Sequence, residues 1–114
     1  MEREIKFRAF DDDKMVYSHN NTLNHSNFQN KWFFEKIRED AIVMQFVGIK
    51  NEYGFDVYEG DIIYSENWNP TTYQVCFDRG AFYIADKDKD EVADIKYAEK
   101  FKVIGNIYQN PELL

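Results

Sequence analysis

Residues Ala41–Tyr64 read Ala-Ile-Val-Met-Gln-Phe-Val-Gly-Ile-Lys-Asn-Glu-Tyr-Gly-Phe-Asp-Val-Tyr-Glu-Gly-Asp-Ile-Ile-Tyr, and the rest of the chain is organised around them. Three of the five glycines, Gly48, Gly54 and Gly60, separate short runs of β-branched and aromatic residues. This pattern is typical of strands joined by tight turns, because glycine adopts the backbone angles that such turns require. The segment therefore predicts a β scaffold with structural turns at these three glycines.

Alternating side chains predict a β-hairpin at the N-terminus. Residues Glu4–Phe10 alternate apolar and charged side chains, and Met15–Tyr17 can return as the second arm after a polar turn. Lys6 and Arg8 share one face of the first strand. This face can either be exposed to solvent or contact a partner, and of the two we expect exposure to solvent.

A second hairpin is predicted in Tyr73–Ile84, with its turn at Gly80. Its alternation predicts core positions at Val75, Phe77, Phe82 and Ile84. Phe101–Tyr108 supplies a last strand, in which we expect Gly105 to be a bulge or a point of close backbone approach. The whole pattern indicates a mainly β protein with little helix.

Two segments before the central stretch are less regular. Ser18–Asn30 contains five Asn, two Ser and two His, which is typical of a long loop, and such loops are either functional or mobile. Lys31–Asp40 fits a short helical turn and an irregular aromatic segment equally well. We interpret residues 1–114 as one domain, with a hairpin and loop region over 1–40 and the central strands and remaining sheet over 41–114.

Aromatic residues make up 18% of the chain, which is more than a small core readily encloses. The surplus therefore predicts a homo-oligomer, and Trp32, Phe33 and Phe34 are the candidate contact residues. The alternative, that these three side chains belong to an intramolecular core, stays open.

The net charge of −7 argues against general binding of duplex DNA, which needs a basic face. The single Cys76 excludes an intramolecular disulfide and fits a reducing compartment. No apolar run is long enough to cross a bilayer, and the first residues do not resemble a signal peptide. We therefore expect a cytoplasmic protein without a membrane segment.

The sequence predicts no enzyme, metal or cofactor. Cys76 lies in a predicted strand without a neighbouring base, and is interpreted as an inert thiol. His19 and His25 have a spacing that fits no common metal motif, even with the acidic residues at 11–13 nearby. Glu59 and Asp61 flank a glycine, which is more simply a turn than an acid–base pair.

Several motifs, in order along the chain, resemble the YopX family. They are Arg3-Glu4-Ile5-Lys6-Phe7-Arg8-Ala9-Phe10, Met44-Gln45-Phe46-Val47-Gly48, Tyr58-Glu59-Gly60-Asp61-Ile62, Val103-Ile104-Gly105-Asn106-Ile107-Tyr108 and Asn110-Pro111-Glu112-Leu113-Leu114. Departures from the family pattern are mild, with Phe10 for Trp, Val47 for Thr and Gln109 for Glu. The loops at 18–30 and 86–100 match nothing in particular.

The resemblance implies a small protein of phages, prophages and other mobile elements. It implies a mainly β architecture with an SH3-like barrel in the C-terminal part, over about Asp56–Tyr108, and a tendency to self-associate. The family carries no established activity or catalytic residues, so the resemblance assigns none here.

Two classes of function fit these observations. The first is a non-enzymatic module that assembles copies of itself or docks a host or phage protein. The second is a nucleic-acid-linked accessory, which could use a local basic patch of Arg3, Lys6 and Arg8, or an acidic mimic of nucleic acid that acts on a host protein.

Overall fold

The computed structural model describes residues 5–18 and 33–114. The chain divides into two compact units, Met1–Gly48 and Ile49–Leu114. The described residues are mainly β, as predicted. Their strands are β1 Phe7–Asp11, β2 Lys14–Tyr17, β3 Ile42–Lys50, β4 Asp56–Tyr58, β5 Asp61–Tyr64, β6 Thr72–Asp78, β7 Ala81–Ala85, β8 Glu91–Asp94 and β9 Lys102–Asn106.

The first unit contains the predicted N-terminal hairpin. Strands β1 and β2 are antiparallel, and the turn between them has left-handed backbone at Asp12 and Asp13. Strand β1 also pairs antiparallel with β3, with Arg8 opposite Met44, so the order is β2-β1-β3. Because β3 forms this sheet, the first unit includes most of β3 and ends after Gly48.

The charged face of β1 is not exposed, so the expectation for Lys6 and Arg8 is wrong. Their exposed fractions are 7% and 4%. The Lys6 ammonium lies 4.6 Å from the centroid of the Phe46 ring, within the range of a cation–π contact. A lysine can be buried in this way because its aliphatic stem packs like an apolar side chain.

The aromatic segment after the loop contains one helical turn. Residues 33–36 are α-helical, which selects one of the two alternatives that the sequence left open. The Phe33 side chain is fully buried and makes an edge-to-face contact with Phe34 at 5.2 Å between ring centroids. Phe34 in turn contacts the ring of Phe7 at 5.1 Å.

The second unit is built on an antiparallel sheet in the order β8-β7-β6-β5-β9. Strand β4 precedes it and is tied to the end of β3 by an ion pair between Lys50 and Asp56 at 3.2 Å. Bulges interrupt the β5–β9 and β7–β8 pairings and bend the strands there. Buried apolar residues of this unit include Val57, Ile62, Ile63, Val75, Ile84 and Phe101.

The prediction that Phe77 belongs to the core is wrong, although Val75 and Ile84 are buried as expected. Phe77 is 47% exposed, and its ring packs against the half-buried Phe82 at 4.8 Å. Strand β5 pairs with β6 only as far as Gln74. Phe77 therefore lies beyond the part of β6 that pairs with β5, which accounts for its exposure.

The five glycines occupy different settings. Gly54, Gly60 and Gly80 lie in turns with φ between +80° and +89°. Gly48 lies inside β3 and not in a turn. Its φ of +99° is an angle that glycine adopts readily, so the strand continues through this residue. Gly105 lies in β9 beside the bulge, and a Cβ there would be 2.6 Å from Asn110 Oδ1.

The remaining elements are short 3-10 helices at Ile95–Lys100 and Pro111–Leu113. The peptide bond between Asn69 and Pro70 is cis. Among residues 5–18 and 33–114, no helix is long and apolar enough to cross a membrane.

Candidate docking groove

Cys76 lies half-buried in β6 and lines a cavity of about 430 Å³ together with Glu59, Tyr83 and Lys89. Burial raises the pKa of the Cys76 thiol above its ordinary value, although the Lys89 charge and a hydrogen bond with Tyr83 act in the opposite direction. The neutral thiol is therefore favoured over the nucleophilic thiolate. The effect of burial on the Cys76 pKa therefore outweighs that of the Lys89 charge, which alone would favour the reactive thiolate.

The other sequence candidates for chemistry are not brought together in the described part of the chain. No group of three or more His, Cys, Asp or Glu side chains in those residues is arranged to hold a metal ion. His19 and His25 lie outside the described residues. The Asp61 carboxylate is buried and accepts a hydrogen bond from the Tyr58 amide at 2.7 Å, so it stabilises the turn around Gly60.

A different feature of the second unit has the form of a binding site. It is an open groove of about 330 Å³ between three segments: the loop at 51–55, the end of β5 with the turn that follows it, and the start of β9. We call it the aromatic groove. Its lining residues are Glu52, Tyr53, Tyr64, Ser65, Glu66, Asn67, Trp68, Lys100 and Lys102.

The loop at one side of the groove is held in place by Asn51. The Asn51 side chain is buried, and its Oδ1 accepts hydrogen bonds from the amides of Tyr53 and Phe55, both at 3.0 Å. Its Nδ2 donates to the Phe101 carbonyl at 3.0 Å. The Glu52 amide also donates to the carbonyl of Glu99 at 2.8 Å. The Asn51 carboxamide therefore ties this loop to Phe101 through three hydrogen bonds.

The opposite side of the groove is formed by a turn that carries Trp68. The Trp68 and Asn67 amides donate to the carbonyl and the hydroxyl oxygen of Ser65, respectively. The indole ring makes an edge-to-face contact with Phe101 at 4.9 Å and with Tyr73 at 5.7 Å. Because both neighbouring rings are buried, the indole has a fixed position.

Charge in the groove is balanced between two acidic and two basic residues. Lys100 Nζ forms an ion pair with Glu52 at 3.2 Å. The Lys102 ammonium lies 5.3 Å from the centroid of the Tyr53 ring. Glu66 has no ion pair within the described residues, so its carboxylate is the one acidic group of the groove left available to a ligand.

Large aromatic side chains are exposed around the groove. Phe55 is 63% exposed, the highest value for a large apolar side chain in the described residues, and Tyr53 and Tyr97 are each 48% exposed. Phe55 follows the rigid turn that Asn51 stabilises. Tyr53 and Phe55 are both exposed on this one loop, so the exposure is not that of a single scattered side chain, and clustered exposed apolar surface is typical of interaction sites.

The three contact residues predicted from the sequence differ in burial and in whether the structure describes them. Trp32 lies outside the described residues, Phe33 is buried in the core of the first unit, and Phe34 is partly exposed. Sequence reasoning did not find the aromatic groove. A Trp within a polar, proline-containing loop was the available signal, but its partners come from segments far apart in the sequence.

Comparison with known families agrees with the motifs described above. A family model described as YopX protein matches residues 6–114. The chain belongs to the YopX family. This YopX-family chain is similar to the crystal structure of protein EF1440 from Enterococcus faecalis, with a TM-score of 0.62 and 21% sequence identity over 99% of each chain. At this identity the likeness shows the fold alone. The comparison with curated proteins found no match.

Proposed function

We propose that this YopX-family chain is a non-enzymatic, self-associating interaction module. It acts as an accessory protein of a phage or other mobile element, in the cytoplasm. The observation that carries the proposal is the exposure of Phe55 on a loop that buried hydrogen bonds of Asn51 hold in place.

Exposed aromatic residues on rigid loops favour association for two reasons. Covering a phenylalanine removes a large apolar area from water, which is the main source of free energy in protein contacts. A loop that is already ordered loses little conformational entropy when it binds. Phe55 and Tyr97 lie outside the lining of the aromatic groove but next to it in the chain or in ring contact, since Tyr97 lies 6.2 Å from the Trp68 ring.

The alternative function, nucleic-acid binding, depended on a local basic patch of Arg3, Lys6 and Arg8. Two of the three basic residues that could have offset the net charge of −7, Lys6 and Arg8, are buried. Arg3, the third, lies outside the described residues. The raised pKa of Cys76 argues against an enzyme that uses this thiol as its nucleophile, because it lowers the thiolate fraction.

Sedimentation velocity of the wild type and two serine variants tests the proposal. We expect the wild type to self-associate. Phe55→Ser should raise the dissociation constant of self-association by at least about tenfold, since aromatic contacts dominate the binding energy of interfaces. Phe77→Ser is the matched control because Phe77 has comparable exposure but lies in the hairpin of β6 and β7. It should self-associate as the wild type does.

Thermal unfolding of each variant shows whether it is folded before its association is compared. A wild type that is monomeric at every concentration contradicts the proposal. So does a folded Phe55→Ser variant that associates as tightly as the wild type.

A further inference from the structure

The five-stranded sheet of the second unit ends in two edge strands, β8 and β9. In the part of the chain that the structure describes, the main chain of residues 91–94 and 102–105 makes no hydrogen bond beyond its pairing with β7 and β5. Each edge therefore presents N–H and C=O groups with which a further strand can pair.

Each edge strand contains one extra residue at its bulge. The pairing of β9 with β5 passes over Ile104, and the pairing of β8 with β7 passes over Val92. The main chain of such a residue is left unpaired by the neighbouring strand. Both side chains are large and apolar, with exposed fractions of 39% for Ile104 and 45% for Val92. Edges that are only protected from pairing carry charged residues or proline, so two exposed apolar residues here favour a contact.

The two edges also differ in charge. Strand β8 carries Glu91 and Asp94, and β9 carries Lys102. None of the three forms an ion pair with another residue of 5–18 or 33–114. Two copies of β8 aligned with each other would oppose carboxylates, which is destabilising, whereas β8 and β9 attract each other. The charges therefore select pairing between unlike edges.

We propose that β9 of one copy pairs antiparallel with β8 of a second copy, with Ile104 opposite Val92. Because opposed residues run in contrary directions along an antiparallel pair, the same register places Lys102 opposite Asp94. The exposed apolar pair and the opposite charges are thus matched by one register. The inference rests on the proposed self-association and names the strands that form the contact.

The faces of the sheet agree with this register. Val103 lies opposite Ile63, and Ala93 lies opposite Ile84, and both isoleucines are fully buried. Residues opposite one another share a face, so Val103 and Ala93 both belong to the core side of the sheet. The register places these two residues opposite each other across the contact. A shift by one residue would join the core side of one copy to the outer side of the next.

Exposed aromatic rings lie beside both edges. The Lys102 ammonium is 5.3 Å from the ring of Tyr53, in the loop that also carries Phe55. Tyr97, which is 48% exposed, lies in the 3-10 helix that follows β8. With Asp94 of the second copy at Lys102, the Tyr97 ring of that copy follows next to this loop. The strand pairing and the Phe55 contact then belong to one interface.

Disulfide trapping tests the register. Val92→Cys and Ile104→Cys are each made in a Cys76→Ser background, so that each chain has one thiol. Opposed residues of an antiparallel pair have Cα atoms about 4.5–5.5 Å apart, a distance that a disulfide spans. We expect oxidation of an equimolar mixture to give mainly the mixed disulfide, identified by mass spectrometry. In the control mixture, Phe77→Cys replaces Val92→Cys at comparable exposure and should not link to Ile104→Cys.

Sedimentation of charge variants tests the ion pair. Lys102→Glu and Asp94→Lys should each raise the dissociation constant of self-association by at least about tenfold, because each opposes like charges. An equimolar mixture should associate as the wild type does, since both contacts between the two variants join opposite charges. Asp94 also accepts a hydrogen bond from the Lys96 amide at 2.9 Å, so thermal unfolding first shows that its variant is folded. The disulfide test does not depend on that variant.

The inference is overturned if the mixed disulfide is no more abundant than the two homodimers or the Phe77→Cys control. It is also overturned if Lys102→Glu associates as tightly as the wild type or more tightly, since the charge would then protect the edge from pairing. A wild type that self-associates without forming the mixed disulfide contradicts only the strand pairing. A wild type that is monomeric at every concentration contradicts the proposed self-association as well.

Discussion

Gly105→Ala is predicted to destabilise the protein because the site has no room for a side chain. A Cβ at this position would lie 2.6 Å from Asn110 Oδ1 and 2.9 Å from Asn110 Cγ. The Asn110 side chain cannot move freely, because its Oδ1 accepts a hydrogen bond from the Asn106 amide at 3.2 Å. The Asn110 amide also donates to the carbonyl of Asn106 at 2.8 Å, which fixes the turn.

The magnitude follows from three contributions. Overpacking costs about 1–3 kcal/mol, and displacing the Asn110 carboxamide loses a hydrogen bond worth about 1 kcal/mol. Alanine also reduces the conformational entropy of the unfolded chain, which stabilises the folded state by about 0.4–1 kcal/mol and partly offsets these losses. We therefore expect Gly105→Ala to lower the free energy of unfolding by about 1–3 kcal/mol, with a Tm lower by roughly 4 °C for each kcal/mol.

Urea unfolding of a double-mutant cycle with Asn110→Ala isolates the clash. Truncating Asn110 removes the two closest atoms, so the double variant should be more stable than the sum of the single effects by about 1 kcal/mol or more. A Gly105→Ala variant with an unchanged unfolding midpoint would refute the close approach. An additive cycle would show that the cost, if any, does not come from Asn110.

Four further predictions concern the Asn51 side chain, the backbone angle of Gly60, the buried Cys76 thiol and the net charge. Asn51→Ala should cost about 2–3 kcal/mol in urea unfolding, because it leaves two amides and a carbonyl without partners; an unchanged midpoint would count against the loop being fixed. Gly60→Ala should lower the free energy of unfolding by about 1 kcal/mol, since alanine is strained at φ +87°; an unchanged Tm would contradict that backbone geometry. Cys76 should react with a disulfide reagent more slowly than free cysteine at neutral pH, and faster as pH rises, because burial raises its pKa and so lowers the thiolate fraction; a faster reaction than that of free cysteine would contradict this. Purified protein should not retard duplex DNA at physiological salt, given the charge of −7; a salt-dependent shift at submicromolar protein would overturn this expectation.

Local patterns in the sequence predicted much of the β structure. The turn at Gly80 and the strands on either side of it are local features, since alternation and a glycine between strands are sufficient to indicate a hairpin. The resemblance to the YopX family was confirmed for the same reason, because its motifs are short and contiguous. Gly105 was expected at a bulge or a close approach, and the structure places it beside both.

What the sequence could not predict depends on neighbours that are distant in the chain. Phe77 has the alternation of a core residue, but its exposure is determined by where β5 ends. The burial of Lys6 depends on a ring in β3, and a charged residue in an alternating strand otherwise indicates solvent. The aromatic groove brings together three segments between residues 51 and 102, and no local motif marks that arrangement.

Sedimentation equilibrium of the wild-type chain is the most direct test of the claim that the protein is a self-associating module. Over protein concentrations from about 1 to about 100 µM, mass action requires the average mass of an associating chain to rise with concentration. We expect the average mass to rise from 13.7 kDa to at least twice that value. A constant mass of 13.7 kDa at every concentration would contradict it.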